Sequence, residues 1–189
     1  MSVTRITYFV HGTTFDNEAG ISSGWKNVQL SPLGVEQNKA LMKQIEGWQF
    51  DAVYSSDLQR AVATADFLFE GRIKVVIDER LRECNYGRYN GSSSKLVEPL
   101  QRKYVKDPFP EGESYEQVKQ RIRSLLDDLM TDYAGADLAF VSHKGPQLAL
   151  EVLLNGKSWE QAFDEDWRKT GSWQPGWQYL IGDKPIYDG

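Results

Sequence analysis

The sequence predicts an α/β protein of three layers, with helices on both faces of a mostly parallel central sheet. Along the chain, short apolar runs typical of buried strands alternate with segments of helical periodicity, which is the order that builds parallel sheets with crossover helices. The chain has 189 residues and is 40% hydrophobic and 26% charged. This length and composition fit one globular domain over residues 1–189.

Strands are predicted where β-branched and aromatic residues cluster. Residues 6–10 are nearly all of this kind, and residues 138–141 are equally apolar, so both are expected to be central strands buried on both faces. Residues 52–55 and 74–77 predict two shorter strands, and residues 177–181 predict an edge strand.

Helices are predicted from their start signals. Ser31 can cap a helix whose first residue is a proline. Ser56 and Ser114 each stand three residues before a glutamine, which is the spacing of a capping box. The helix after Ser56 would carry Arg60 near its start, and a further helix is expected at residues 148–154.

The remaining segments predict less regular structure. Residues 81–112 are expected to form an excursion over the functional site, with a short helix at about 95–104. Residues 164–166 (DED) are expected on a solvated helix face. Four tryptophans are expected to pack in the core or between subunits, with a stacking wall over the substrate as the alternative: Trp159, Trp167, Trp173 and Trp177.

Charge and composition exclude several classes of protein. The chain carries 22 Lys and Arg against 27 Asp and Glu, a formal charge of −5, which argues against a nucleic-acid or membrane-surface binder because phosphate neutralisation needs a basic face. One cysteine excludes an intrachain disulfide. No run reaches the roughly 18 apolar residues of a membrane span, and no signal-peptide pattern opens the sequence, so the expected location is the cytoplasm. No metal-ligand spacing is present, and no cofactor is predicted.

The chain has only two histidines, His11 and His143. Both fall at the carboxyl end of a predicted buried strand, where ligand sites lie in open α/β sheets. Arg60 also follows a strand, near a helix start whose free N–H groups and dipole suit phosphate. A structural role at a strand end is the alternative for either histidine alone. The three residues together predict a phosphoryl-transfer site.

The chemistry of such a site needs four groups. A neutral imidazole nitrogen attacks phosphorus and becomes a phosphohistidine, while its other ring nitrogen donates a hydrogen bond that fixes the tautomer. A second histidine and an arginine stabilise charge on the phosphoryl oxygens. A carboxylic acid protonates the leaving alkoxide and then, as carboxylate, activates water.

A series of short motifs carries a resemblance to a known family. In chain order they are residues 10–14 (VHGTT) with Asn17, 24–25 (GW), 30–34 (LSPLG), 55–65 (SSDLQRAVATA), 81–83 (LRE) with Gly87, 110–114 (PEGES) and 141–145 (VSHKG). Over about residues 5–155 the chain resembles the phosphoglycerate-mutase-like branch of the histidine phosphatase superfamily. Each motif alone is weak, but their order is specific.

The resemblance implies a role for each matching residue. It implies that His11 is the nucleophile, that Arg60 and His143 bind the phosphoryl group, and that Glu83 is the proton donor. It implies further phosphate or pocket contacts from Gly12, Thr14 and Asn17. The implied reaction is hydrolysis of a small phosphorylated metabolite without a metal or other cofactor.

One position departs from the family pattern, because Val10 stands where an arginine usually precedes the nucleophile. A charge-assisted hydrogen bond is worth about 1.5–3 kcal/mol, or roughly 10- to 150-fold in binding or rate. Three accounts are open. The protein is a weak phosphatase, or another cation substitutes (Lys144 first, then Lys26 and Arg5), or the site binds a phosphorylated ligand without catalysis.

Phosphatase activity is favoured because the other groups that the chemistry needs are present. Phosphoglycerate mutase activity is the second choice, since the short chain leaves little for segments that enclose a mutase's intermediate. The sequence does not name the substrate. It leaves the oligomeric state open, with a homodimer as one option.

Overall fold

A computed structural model describes residues 3–170, 173, 176–182 and 186 of the chain. Its strands are β1 (Thr4–Val10), β2 (Ile21–Ser22), β3 (Ala52–Ser55), β4 (Val75–Ile77), β5 (Ser92–Ser93), β6 (Asp137–Ser142) and β7 (Trp177–Ile181). Five of them form one sheet in the order β4-β3-β6-β1-β7, and β2 pairs with β5 in a separate ladder. Only β7, at one edge, runs antiparallel to its neighbour β1.

In the described part of the chain, seven α-helices connect and follow these strands. They are α1 (Phe15–Glu18), α2 (Pro32–Gln44), α3 (Gln59–Phe69), α4 (Ser94–Leu100), α5 (Tyr115–Asp132), α6 (Lys144–Asn155) and α7 (Trp159–Asp164). Three 3₁₀ turns lie at Glu79–Leu81, Gly87–Tyr89 and Trp167–Thr170. Within the described ranges, no helix is long and apolar enough to cross a membrane.

Two apolar cores, one on each face of the sheet, make the three layers. Tyr8 and Phe140 point to the face covered by α5 and α6. Their neighbours Phe9 and Val141 point to the opposite face, which α2 and α3 cover. This alternation follows from the two-residue period of a strand. Both faces of the central strands are therefore buried, and the predicted three-layer α/β fold is confirmed.

The start of α3 differs from the prediction. The helix begins at Gln59 with Leu58 as its N-cap, and no side chain caps it. The hydroxyl of Ser56 instead accepts the N–H of Leu58 at 3.2 Å and bonds to the ring of His143 at 2.9 Å. The predicted capping box at Ser56 is therefore wrong, because a distant partner takes up the hydroxyl.

The start of α6 is also earlier than predicted. The helix begins at Lys144, directly after β6, and His143 is its N-cap in an extended conformation. Gly145 and Pro146 lie in its first turn. Proline is tolerated in the first turn, since the N–H that it lacks would have no partner inside the helix.

The segment 81–112 contains more regular structure than predicted. The short helix α4 lies within the expected region and ends at Leu100, and β5 joins the segment to the loop after α1 through its pairing with β2. Four residues of the segment line the cavity described below, namely Glu83, Tyr86, Ser94 and Glu98.

The capping box of α5 predicts a measurable loss of stability. Ser114 Oγ accepts the N–H of Gln117 at 3.1 Å, and Gln117 Oε1 accepts the N–H of Ser114 at 2.8 Å. We expect Ser114→Ala to lower the free energy of unfolding by about 1 kcal/mol, as measured by urea denaturation. Ser93→Ala is the matched control, because Ser93 precedes α4 without a side-chain cap; equal losses in the two variants would contradict the assignment.

Candidate active site

The register of the sheet brings the two histidines together. β1 and β6 are parallel neighbours in which Val10 is paired with Ser142, so the residues that follow them leave the sheet side by side. The ring centroids of His11 and His143 are 5.1 Å apart. Ser56 follows β3, the next strand along, so three adjacent strand ends contribute to one site.

A cavity of about 490 Å³ opens beside His11, a volume within the usual range for small-molecule sites. It is lined in part by residues that the sequence predicted for the site, namely His11, Asn17, Arg60, Glu83 and Lys144. Val10 lines it as well. Fully buried His143 is not among the lining residues; it lies behind His11.

His11 is held as a neutral imidazole whose Nε2 carries no proton. Its Nδ1 lies 2.7 Å from the carbonyl oxygen of Gly12, so Nδ1 carries the proton and donates it, and Nε2 is left unprotonated. Burial is the main cause that lowers the pKa of His11 to about 3, and the positive charge of Arg60 lowers it further. An unprotonated Nε2 is the form that can act as a nucleophile.

Arg60 is almost completely buried and is fixed by backbone carbonyls. Its Nη2 donates to Gly24 at 2.8 Å and its Nη1 donates to Lys26 at 3.0 Å. Its Nε donates to Nε2 of His11 at 3.2 Å. Burial lowers the pKa of Arg60, but an arginine remains charged at neutral pH. The carbonyls of residues 24 and 26 therefore aim a guanidinium at the lone pair of His11.

His143 is anchored from behind by two hydroxyl groups. Tyr8 donates its hydroxyl to the carbonyl of His143 at 2.7 Å and accepts its N–H at 3.2 Å. Nε2 of His143 lies 2.9 Å from the Ser56 hydroxyl, and when that hydroxyl donates to Nε2 the proton of the neutral ring is on Nδ1. That buried Nδ1 has no hydrogen-bond partner in the described part of the chain. Burial lowers the pKa of His143 as well.

Glu83 stands at the N-terminus of α6. One carboxylate oxygen, Oε1, accepts the N–H of Gly145 at 2.7 Å and the N–H of Cys84 at 2.8 Å. A β-carbon on residue 145 would lie only 2.5 Å from Oε1, so the contact requires glycine. The other oxygen, Oε2, has no hydrogen bond within the described ranges and is available to reacting groups. Across those ranges, no group of three or more His, Cys, Asp or Glu side chains is placed to hold a metal ion.

Gly12, in the loop after β1, is packed too closely against its neighbours to line the cavity. Gly12 is buried and gives its N–H to Thr64 Oγ1 at 3.1 Å. A β-carbon on residue 12 would lie 2.7 Å from the carbonyl oxygen of Gly34. The backbone of residue 12 therefore sets the tautomer of His11, and Gly12 does not itself line the cavity.

Thr14 does not line the cavity either, which corrects the expectation from the sequence. It is fully buried as the N-cap of α1, where its hydroxyl accepts the N–H of Asn17 at 3.1 Å. Asn17 Oδ1 accepts the N–H of Thr14 at 3.0 Å in return. Thr13 lines the cavity in place of Thr14. Asn17 lines it too, with its amide oxygen committed to the cap.

Lys144 reaches the cavity but is bound to other residues. Its Nζ lies 2.9 Å from Asp166 Oδ2 and donates to Gln101 Oε1 at 2.9 Å. Burial lowers the pKa of Lys144 to about 8. Asp166 is buried rather than solvated, so the expectation for residues 164–166 is wrong at that position. Its carboxylate is shared between Lys144 and Arg168, which lies 3.1 Å away.

The other two cations proposed from the sequence lie away from the cavity. Arg5 belongs to the opposite end of β1, where it pairs with Asp137 at 3.2 Å and is half-exposed. Lys26 gives only its carbonyl oxygen to the site, and its ammonium lies beside Gly91. Neither can replace an arginine at position 10 in the arrangement observed.

The C-terminal part of the chain contributes residues that the sequence did not assign. Trp167, Arg168 and Trp173 line the cavity, and the indole N–H of Trp173 donates to the carbonyl of His11 at 3.2 Å. Trp159 packs in the core as expected, and Trp167, Trp173 and Trp177 pack against the two cores while remaining partly exposed. Trp167 and Trp173 also line the cavity, which is the position that the stacking-wall alternative requires. No motif marked Arg168, which follows a tryptophan in an otherwise featureless stretch.

The chain has a phosphoglycerate-mutase-like fold, with its two histidines at neighbouring strand ends. The family model of the histidine phosphatase superfamily (branch 1) matches residues 8–174. The chain belongs to this superfamily.

Relatives and solved structures cover most of the chain. Two proteins of Hydrogenobacter thermophilus match it. One is 32% identical over 161 residues, which are 80% of this chain and 79% of that protein. The other, phosphoserine phosphatase 1, is 28% identical over 158 residues, 77% of this chain and 74% of that protein. A mycobacterial glucosyl-3-phosphoglycerate phosphatase structure has a TM-score of 0.75 at 27% identity, covering 85% of this chain and 86% of that chain.

A mutase is also similar to the chain. The 2,3-bisphosphoglycerate-dependent phosphoglycerate mutase of Neisseria gonorrhoeae is 27% identical over 163 residues, which are 82% of this chain and 66% of that protein.

The lowered pKa of His11 predicts that this ring stays neutral in mildly acidic solution. We expect no protonation of His11 between pH 8 and 5, as measured by ¹⁵N chemical shifts of the imidazole nitrogens; with two histidines, a His11→Asn variant assigns the spectrum. An unfolded histidine titrates near 6.5, so the unfolded chain binds more protons below that pH. The stability contributed by neutral His11 is therefore full above about pH 6.5 and falls as the pH is lowered towards 3. Titration of His11 near 6.5 would contradict the assignment.

Proposed function

We propose that this protein is a phosphatase that hydrolyses a small phosphate monoester through a phosphohistidine on His11. The observation that carries the proposal is the unprotonated Nε2 of His11, held beside a buried arginine at the wall of the cavity. The carbonyl of Gly12 fixes the tautomer, and burial keeps the ring neutral. The other groups that the chemistry needs surround it.

In the first step, Nε2 of His11 attacks phosphorus as the bond from phosphorus to the ester oxygen breaks. Arg60 Nε now donates to this lone pair, so it must turn to a phosphoryl oxygen when substrate binds. The buried Nδ1 of His143 lacks a partner in the described ranges, and a phosphoryl oxygen would supply one once the ring of His11 moves towards phosphorus and uncovers it. Donors that are already placed where negative charge develops lower the barrier.

Glu83 is placed to exchange protons in both steps. Its Oε1 is occupied by two backbone N–H groups, so Oε2 is the oxygen that gives a proton to the departing alkoxide. In the second step, the resulting carboxylate takes a proton from water as the water attacks the phosphohistidine. Cys84 is not suited to be an alternative nucleophile, because it is fully buried and burial raises the pKa of its thiol.

The size and lining of the cavity bear on the leaving group. A cavity of about 490 Å³ is larger than a phosphate needs, and three aromatic side chains line it, namely Tyr86, Trp167 and Trp173. The cavity has room for an organic leaving group with several carbon atoms. A screen of phosphorylated metabolites, with phosphoserine and sugar phosphates among them, tests which leaving groups the site accepts.

Mutase-type transfer is the second candidate, supported by the similarity to a phosphoglycerate mutase. Both reactions pass through the same phosphohistidine, and they differ in the acceptor. A labelled phosphoryl group that leaves only as inorganic phosphate in the presence of phosphoglycerate supports the phosphatase. Label recovered in a second position of phosphoglycerate supports the mutase.

The nucleophile assignment predicts a covalent label on one residue. After incubation with ³²P-labelled phosphodonor and an alkaline quench, we expect acid-labile phosphate on the wild-type protein and none on His11→Asn. Cys84→Ala is the control for the other conceivable nucleophile and is expected to keep the label. A His11→Asn variant that hydrolyses an aryl phosphate as fast as the wild type would overturn the proposed function.

The proton-donor assignment predicts a dependence on the leaving group. Glu83→Gln keeps the two backbone contacts of Oε1 but removes the proton, so we expect the phosphorylation step to slow by about 10²- to 10⁴-fold for an alkyl phosphate. Nitrophenyl phosphate, whose leaving group needs no proton, is expected to lose far less in the burst of nitrophenol release. Glu18→Gln, an exposed carboxylate that also lines the cavity, is the matched control. An equal loss on both substrates would rule out this role for Glu83.

A further inference from the structure

The site described so far holds one guanidinium where two are usual in the family that the chain resembles. Val10 lines the cavity directly before the nucleophile and cannot donate a hydrogen bond from its side chain. The two Nη atoms of Arg60 are committed to the carbonyls of Gly24 and Lys26. A phosphoryl group with three oxygens would therefore meet few free donors from these residues alone.

Arg168, in the 3₁₀ turn after α7, lines the same cavity as His11 and Arg60. Its side chain is 35% exposed, so it borders the open part of the cavity. Its Nε and Nη2 donate to Asp166 Oδ2 at 3.3 and 3.1 Å, and Nη2 also reaches Glu98 at 3.5 Å. In the part of the chain that the structure describes, its Nη1 has no hydrogen-bond partner and is available to a ligand.

Asp166 holds this guanidinium in place without cancelling its charge. The carboxylate is 4% exposed, accepts the backbone N–H of Arg168 at 3.1 Å, and is also paired with the ammonium of Lys144. Two cations thus share one buried carboxylate. Glu98, the other anion near Arg168, is 53% exposed and at 3.5 Å, where solvent screens it.

The charge of Arg168 is felt at the reacting groups. Besides burial and Arg60, the positive charge of Arg168 contributes to lowering the pKa of His11. Burial lowers the pKa of Arg168, but nearby groups, Asp166 first and then Tyr86 and Glu83, raise it above its ordinary value. Arg168 is therefore electrostatically part of the site.

We propose that Arg168 binds the phosphoryl oxygens of the substrate and supplies the guanidinium that Val10 does not. The ligand class is a phosphate monoester or inorganic phosphate. Lys144, with its ammonium held by Asp166 and Gln101, belongs to the support of Arg168 and not to the phosphate contacts. The inference rests on the proposed function for its meaning in catalysis, but phosphate binding tests it independently of turnover.

The test measures phosphate affinity in variants of Arg168, with Arg102 as the control, and then adds an arginine at position 10. We expect Arg168→Ala to weaken the binding of inorganic phosphate and orthovanadate by about 10- to 100-fold, the range for a lost charge-assisted bond, with Arg168→Lys between it and the wild type. Arg102→Ala is the matched control, because Arg102 is half-exposed, pairs with Asp164 and does not line this cavity. Titration calorimetry measures affinity for both anions, and circular dichroism checks folding.

A second guanidinium at position 10 supplies the decisive comparison. Val10 lines the cavity, so an arginine there can reach the same ligand. If Arg168 binds phosphate, Val10→Arg should restore most of the lost affinity and kcat/KM in the Arg168→Ala background and improve the wild type much less. Equal gains in the two backgrounds, or an Arg168→Ala variant that binds phosphate like Arg102→Ala, would overturn the inference.

Two further outcomes separate this inference from the proposed function. If His11→Asn keeps full turnover while Arg168→Ala loses phosphate affinity, the catalytic proposal fails and the phosphate site stands. If Arg168→Ala does not fold, the same comparison is made with Arg168→Lys, which keeps a cation beside Asp166. Unchanged phosphate affinity in a folded Arg168→Lys variant, with equal gains from Val10→Arg in both backgrounds, would again overturn the inference.

Discussion

The rest of the site depends on one requirement at His11. Positive charge must surround its ring, so that an anion can bind, while Nε2 stays unprotonated. Burial of the ring and the nearby positive charge together keep Nε2 unprotonated, and the same charge attracts an anion. Withdrawing water from the ring disfavours its charged form, and Arg60 disfavours that form further while offering donors to an anion. The chain as a whole carries −5, so this positive field is local, and backbone carbonyls rather than carboxylates orient Arg60.

The register of the sheet brings together the residues that surround His11. Parallel pairing of β1 with β6 and of β6 with β3 places three strand ends in one row, and each end turns directly into a loop or helix start. The early start of α6 has a particular consequence. The N–H of Gly145, in the first turn of α6, donates to the carboxylate of Glu83, so this anion is held near His11 by backbone contacts and forms no hydrogen bond with Arg60 or Arg168 in the described part of the chain.

Local patterns predicted most of the fold, and contacts between distant segments account for what they did not. The buried strands and the cap of α5 were predictable because a cluster of β-branched and aromatic residues and a serine–glutamine spacing both act within a few residues. Ser56 matched the same spacing, but its hydroxyl serves His143, which comes from another strand. Thr14 matched a family motif, but its hydroxyl caps a four-residue helix that the sequence did not reveal. Asp166 and Lys144 are far apart in the sequence and belong to different elements, so no local sequence pattern predicts that they pair.

The position in the chain from which the second guanidinium comes determines which contacts hold it near His11. An arginine at position 10 would extend from a central strand whose backbone is fixed by the ladder with β6. Arg168 is instead positioned by one buried carboxylate, Asp166, which is itself bound to the first residue of α6. Trp173 ties the same part of the chain to the carbonyl of His11. Because these contacts join this segment to α6 and to the nucleophile, its packing sets how much positive charge faces His11. The same packing sets how far the aromatic wall covers the cavity.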